Sequence, residues 1–143
     1  MEIDQNILLT GSTGLIGRHI LKGFKFRKIV CLGRTHPNNH NIEFYKSDLS
    51  KKEDFGSYLT DIDIVLHVAA RAHVMSEKEK NPLDAYRKIN TKASIHLAKE
   101  AAKNGVKRFI YISSIKVNGE NTREHLKFTY DQDPNPQDDY AIS

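Results

Sequence analysis

Cysteine occurs once in the chain, at Cys31, and tryptophan does not occur at all. A single cysteine excludes an internal disulfide. Cys31 lies in the apolar run KIVCL. A thiol there is expected to be buried and inert, because reactive thiols need an accessible, electropositive setting. No apolar run approaches the roughly 18 residues that a membrane-spanning helix requires. The opening residues, MEIDQNILLTG, lack the basic start and long apolar segment of a secretory signal. The chain is therefore read as cytoplasmic, with no membrane partner. None of the 7 histidines has zinc-site spacing or a cysteine partner, which argues against a metal site. His36 and His40 are four apart, but they flank PNN, a loop sequence rather than a helix. The formal charge is +4, yet the basic residues are scattered and are not interleaved with aromatics. They read as solvated faces, not as a nucleic-acid surface.

What is present is enough for one soluble domain with a core. The 143 residues are 38% hydrophobic and 28% charged, which is on the polar side for a buried sheet. Apolar runs alternate with helical patterns. NILLTG (6–11), KIVCL (28–32), IEFYKSDL (42–49), DIVLHVAA (63–70) and RFIYISS (108–114) read as five strands. LIGRHILKGF places Ile16, Ile20 and Phe24 on one face of a helix. SKKEDFGSYL opens with Ser50 and carries Glu53 three residues later, a capping-box pattern that predicts a short helix. The stretch 81–105 predicts a long helix, with Pro82 near its start and Gly105 past its end. Its apolar stripe is Tyr86, Ile89, Ala93, Leu97 and Ala101. Residues 115–139 are rich in Asn, Asp, Gly and Pro, which is loop composition. Strand–helix alternation predicts an α/β fold with a Rossmann-type doubly wound parallel sheet, strand order 3-2-1-4-5. Residues 1–117 are assigned to a partial nucleotide-binding domain and 118–143 to an active-site loop.

TGSTGLIG joins the first strand to the first helix and holds Gly11, Gly14 and Gly17. A sharp turn, a close approach to a pyrophosphate and tight helix–sheet packing each favour a missing Cβ. The helix start then offers free N–H groups and a positive dipole end to phosphates. The spacing is G-x-x-G-x-x-G, not the more general G-x-G-x-x-G, so the motif alone is weak. About 20 residues on, a dinucleotide site usually carries an acid for the ribose hydroxyls. CLGRT offers Gly33 and Arg34 instead. Glycine leaves room and arginine supplies a forked donor, so a 2′-phosphate, and hence NADP over NAD, is favoured.

Six motifs in order resemble an extended short-chain dehydrogenase/reductase, in the NAD-dependent epimerase/dehydratase family. They are TGSTGLIG, SDL at 47–49, HVAA at 67–70, INTKAS around Asn90, RFIYISS ending at Ser114, and YAIS from Tyr140. The resemblance covers nearly the whole chain. SSIKVNGE and PLDAYRKIN are most similar to a bacterial branch acting on UDP-N-acetylated sugars in surface-polysaccharide synthesis. The resemblance implies roles. Gly11, Thr13, Gly14, Leu15, Ile16 and Gly17 would form the cofactor turn. Asp48 would accept from the adenine amino group, with Leu49 beside the ring. Val68, Ala69 and Ala70 would floor the ribose and pyrophosphate. Asn90 would anchor the backbone nearby, and Ser113 would border the cofactor. Ser114 would hydrogen-bond the reacting sugar oxygen, and Tyr140 would be the general acid/base.

In the family a lysine four residues after the tyrosine lowers the phenol pKa and holds the nicotinamide ribose. The chain stops at Ser143, one residue short of that position. It is expected to be the N-terminal part of a longer protein, without the later strands and the sugar-nucleotide domain, and inactive alone. Its fifth strand would then be an open edge that invites self-association or a homodimer. Two departures bear on the reaction. Asn118 stands where the family often has tyrosine, and Ile115 and Lys116 stand where sugar dehydratases carry Asp-Glu. A dehydratase is therefore disfavoured, leaving a 4-epimerase or a 4-ketoreductase. The rival from another class is a non-catalytic NADP-binding or sensor module. It would not need the Ser114/Tyr140 pair. A chain from an interrupted gene is a third reading.

Overall fold

The computed structural model describes residues 2–38, 42–51, 54–72, 79–122 and 127–143. His40 and the capping-box Glu53 lie outside the described residues. Five parallel strands form one sheet in the order β3-β2-β1-β4-β5. They are β1 (Glu2–Thr10), β2 (Lys25–Gly33), β3 (Glu43–Lys46), β4 (Ile64–His67) and β5 (Arg108–Tyr111). The predicted order and α/β class are the ones observed. The helices are α1 (Leu15–Gly23), α2 (Pro82–Arg87), α3 (Ser94–Lys103) and a single turn, α4 (Asp139–Ile142). A π-helical turn, Lys88–Ala93, joins α2 to α3.

Side chains alternate across the sheet. Leu8, Val30, Leu32 and Val65 point to one face, where they form the core with Phe55, Leu59, Leu97 and Ala101. Ile7, Leu9, Cys31 and Ile64 point to the other face and are also buried. The chain crosses from β1 to β2 in one direction and from β4 to β5 in the other. Right-handed crossovers therefore put α1 and α3 on opposite faces. Below the sheet, Asp63 ties four strands. It accepts from the Asn6 N–H at 2.9 Å and pairs with Arg27 at 3.2 Å and Lys107 at 2.7 Å.

Several boundaries differ from the sequence reading. β1 and β2 each run several residues further toward their N-termini, where Glu2 pairs with Lys25 and Ile3 with Phe26. Those outer ends pair through backbone while charged side chains face solvent, so hydrophobicity does not mark them. β4 stops at His67, not Ala70, because the Thr10 hydroxyl captures the next two N–H groups. Among the described residues of the predicted helix at 50–59, the helical element is a 3-10 turn, Gly56–Tyr58. There the Asp54 carboxylate accepts from the Gly56 N–H at 2.9 Å, a local turn that competes with helix. Phe55 and Leu59 still anchor this segment in the core. On α1, Ile16 is 46% exposed and not buried as its periodicity implied, while Ile20 and Phe24 are half-buried. Of the predicted long-helix stripe, Ala93, Leu97 and Ala101 are buried, while Tyr86 and Ile89 are half-buried.

Candidate functional site

All five strands are parallel, so their carboxyl ends share one edge. Gly11 follows β1, Arg34 follows β2, Asp48 lies past β3, Val68 to Ala70 follow β4, and Ser113 and Ser114 lie past β5. The sheet order reverses between β1 and β4, and in open α/β sheets that crevice is where ligands bind.

The glycine turn is built by close contacts. Gly11 has φ +72°, and a Cβ there would sit 2.7 Å from the Ala69 nitrogen. A Cβ on Gly17 would sit 2.2 Å from the Gly11 carbonyl oxygen. The first position brings the turn against the exit of β4, and the second lets α1 lie on the turn. Gly14 is exposed and caps α1 with extended backbone and no side-chain hydrogen bond. No acidic side chain lies in the first turn of α1. The N–H groups of Leu15, Ile16 and Gly17 open the helix without an intrahelical acceptor. Thr13, Leu15 and Ile16 are exposed beside them, Leu15 by 70%.

A buried relay supports the floor of this crevice. The Thr10 Oγ1 accepts from the N–H groups of Val68 (3.2 Å) and Ala69 (3.1 Å). It also lies 2.7 Å from His67 Nδ1. His67 Nε2 lies 2.7 Å from Ser94 Oγ on α3. With two donors already on Thr10 Oγ1, its own proton is the one to share with Nδ1. The imidazole then carries its proton on Nε2 and donates to Ser94. Burial against Phe109 and Tyr111 pushes the His67 pKa down to about 4, which keeps the ring neutral. Thr10 and Ser94 were not anticipated as a unit. The only sequence signal was a histidine inside an apolar strand.

Asn90 is buried in the π-helical turn. Its Oδ1 accepts from the Arg71 N–H at 2.7 Å, and its Nδ2 donates to the Arg71 carbonyl at 3.1 Å and to Ser143 Oγ at 2.8 Å. Asn90 thus fixes the segment leaving β4. The extra residue of a π-turn, common at functional sites, accompanies that inward amide.

At the outer rim, Asp48 makes a turn in which its Oδ1 accepts from the Ser50 N–H at 3.0 Å. The Ser50 side-chain and backbone hydrogen bonds hold its carboxyl below the usual range, and the Arg34 charge adds to this. Arg34 and Asp48 are therefore brought together. A Cβ at Gly33 would meet open space. Leu49 is half-buried against the core.

Ser114 and Tyr140 come from two adjoining turns. Ser114 caps a 3-10 turn, Ile115–Asn118, and its Oγ accepts from the Lys116 N–H at 3.3 Å. Tyr140 lies on α4, which packs against α2 and that 3-10 turn. Tyr140 is thus carried on a formed helical turn. Asp138 caps it, its Oδ1 accepting from the Ala141 N–H at 2.7 Å. Thr91 holds its end by donating to the Ser143 carbonyl at 2.6 Å. The Tyr140 ring centroid is 6.2 Å from that of Tyr86, over which the Arg71 guanidinium sits at 5.3 Å. Tyr111 has its pKa raised by burial and, less, by nearby Tyr140. Among the described residues no group of His, Cys, Asp or Glu could hold a metal ion, and no helix is long and apolar enough to cross a membrane.

The sequence profile of the NAD dependent epimerase/dehydratase family matches residues 7–143. The chain belongs to this family. It is 42% identical over 146 residues to a UDP-glucose 4-epimerase of Vibrio cholerae, covering 99% of this chain and 44% of that protein. Among solved structures, it superimposes on a UDP-N-acetylglucosamine 4-epimerase of Methanobrevibacter ruminantium M1 in complex with UDP-N-acetylmuramic acid. The TM-score is 0.78 at 31% identity, over 99% of this chain and 47% of the other. It also matches a UDP-glucuronic acid 4-epimerase of Bacillus cereus in complex with UDP-glucuronic acid and NAD. There the TM-score is 0.76 at 25% identity, over 96% of this chain and 48% of that one. The chain thus spans less than half the length of these relatives.

Proposed function

We propose that this chain is the dinucleotide-binding part of a nucleotide-sugar 4-epimerase or 4-ketoreductase. The observation that carries this reading is the crevice at the β1/β4 switch point. There Gly11 and Gly17 bring backbone and the start of α1 to within the space of a missing Cβ. That cradle fits a pyrophosphate, with Ala69 and Ala70 below it and Asp48 at the adenine end. The nicotinamide cofactor, when bound, supplies hydride transfer at the sugar carbon.

The chain's own residues would do the rest. Asn90 holds the segment that leaves β4, so the crevice keeps its shape. Ser114 Oγ would donate to the sugar C4 oxygen, and Tyr140 would take or return its proton. A free phenol titrates near pH 10, so the cationic nicotinamide and a nearby ammonium would have to favour the phenolate. Ile115 and Lys116 offer no carboxylate after Ser114 to assist water elimination, which argues against a dehydratase. The substrate class we favour is a UDP-N-acetyl sugar, used in polysaccharide synthesis. Gly33 and Arg34 favour NADP over NAD. The residues divide at 117, with the cradle before it and the Ser114–Tyr140 connection mostly after it.

Fluorescence titration with NADH and NADPH tests the binding half. Turnover of UDP-glucose and UDP-N-acetylglucosamine by the complete protein, followed by NMR of the C4 epimers, tests the reaction. Binding without inversion or reduction of any UDP-sugar would contradict the catalytic half and support a non-catalytic binding module.

A further inference from the structure

Lys116 touches both turns that carry Ser114 and Tyr140. Its backbone N–H donates to Ser114 Oγ at 3.3 Å. Its ammonium pairs with Asp138 and, at 2.9 Å, with Glu120. Asp138 divides its two oxygens. Oδ1 caps α4 through the Ala141 N–H at 2.7 Å, and Oδ2 takes Lys116. A second tie runs alongside, from the Asn135 N–H to the Val117 carbonyl at 2.8 Å.

We propose that Lys116 is a positioning residue that fixes the Ser114 turn relative to the Tyr140 turn through the Asp138 carboxylate. The proposal rests on the reading of Ser114 and Tyr140 as the proton-handling pair. Ser114 caps a turn of only four residues and Tyr140 sits on another, and neither turn is held by buried apolar side chains of its own. Short turns of this kind do not hold a geometry through propensity. Thr91 and Asn90 hold the far end of α4, and the ties between the two turns set its start against the Ser114 turn. The Lys116–Asp138 pair is half-exposed, with side chains 36% and 41% accessible. Such a pair adds little to global stability. Its consequence is geometric. The carboxylate that starts the tyrosine helix is held by the residue that orients the serine oxygen.

The test is NMR of the chain, read at the amides of Ser114, Tyr140 and Ala141. Lys116→Met removes the ammonium. Asp138→Asn keeps an oxygen to cap Ala141 but turns an amide toward Lys116, so it separates the cap from the tie. Both variants are expected to shift the Ser114 and Tyr140 signals together. Lys116→Met is also expected to speed Ala141 amide exchange about fivefold, as a weakened cap would. Lys116→Arg should retain the parent spectrum, and the double variant should add little to either single one. The proposal is overturned if Lys116→Met leaves Tyr140 and Ala141 unchanged, or if the two single effects simply add. NADH titration of the same samples keeps the two claims apart. A parent chain that fails to bind NADH contradicts the nucleotide reading, while the NMR outcome still decides the tie.

Discussion

Thr10 Oγ1 lies 2.7 Å from His67 Nδ1, inside the sheet, at the point where β1 and β4 stop pairing. The relationship has a pH consequence. The folded His67 titrates near 4, and an unfolded histidine titrates near 6.5. Between these values the unfolded chain binds the extra proton. The stability contributed by neutral His67 is therefore complete above about pH 6.5 and is lost as pH falls toward 4, by on the order of 3 kcal/mol. An NMR titration of the imidazole, with denaturant unfolding at pH 7 and pH 4.5, checks both parts. An imidazole that protonates near pH 6.5 in the folded chain would refute it.

Removing the hydroxyl tests the same unit without changing pH. Thr10→Val keeps the shape but leaves the Val68 and Ala69 N–H groups and His67 Nδ1 without that partner. Loss of about 2–4 kcal/mol is expected, since buried polar groups without partners carry their full desolvation cost. Unfolding in urea reads it, and a change under about 0.5 kcal/mol, the range of ordinary surface substitutions, would contradict the role given to the hydroxyl.

The sheet and its order were legible in the sequence because both faces are buried. NILL, KIVCL and DIVL are apolar almost throughout, and parallel order follows from the helices between them. What was not legible is what backbone and single polar side chains decide. The outer ends of β1 and β2 pair through main chain alone, so Glu2 and Lys25 looked like surface. From Asp54 onward, a 3-10 turn closed by the Asp54 carboxylate on the Gly56 N–H stands where the pattern predicted helix. The glycine turn, Asn90 and Ser114 could be named from motifs. The Thr10–His67–Ser94 relay and the Lys116–Asp138 pair could not, since their members are 22 to 57 positions apart. Only the fold brings them together.

The glycines should differ in what they tolerate. Gly17→Ala places a Cβ 2.2 Å from the Gly11 carbonyl, a backbone atom that cannot swing away. A loss of about 2–3 kcal/mol is expected. Gly33→Ala meets nothing within 4 Å and should cost less than about 0.5 kcal/mol. Thermal unfolding of the two variants compares them directly, and equal effects would contradict the packing described for α1.

Arg34 sets the expected cofactor preference. Arg34→Ala should weaken NADP binding by about tenfold, the worth of a charge-assisted contact, and leave NAD within about threefold. Competition titrations against NADH measure both. Tighter binding of NAD than NADP by the parent chain, or an unchanged NADP affinity in the variant, would remove the assignment.

The most direct measurement is NADH affinity in the parent chain and in Gly14→Asp. Gly14 already has the extended backbone of a helix cap, and aspartate is a favoured cap, so the variant should fold. Its carboxylate would lie at the start of α1, where a pyrophosphate would be held. Binding by the parent and a loss of about 100-fold or more in a folded Gly14→Asp is the expected result, from charge repulsion together with occupation of the helix N–H groups. A parent chain that does not bind NADH, or a Gly14→Asp variant that binds it equally well, would contradict the dinucleotide cradle.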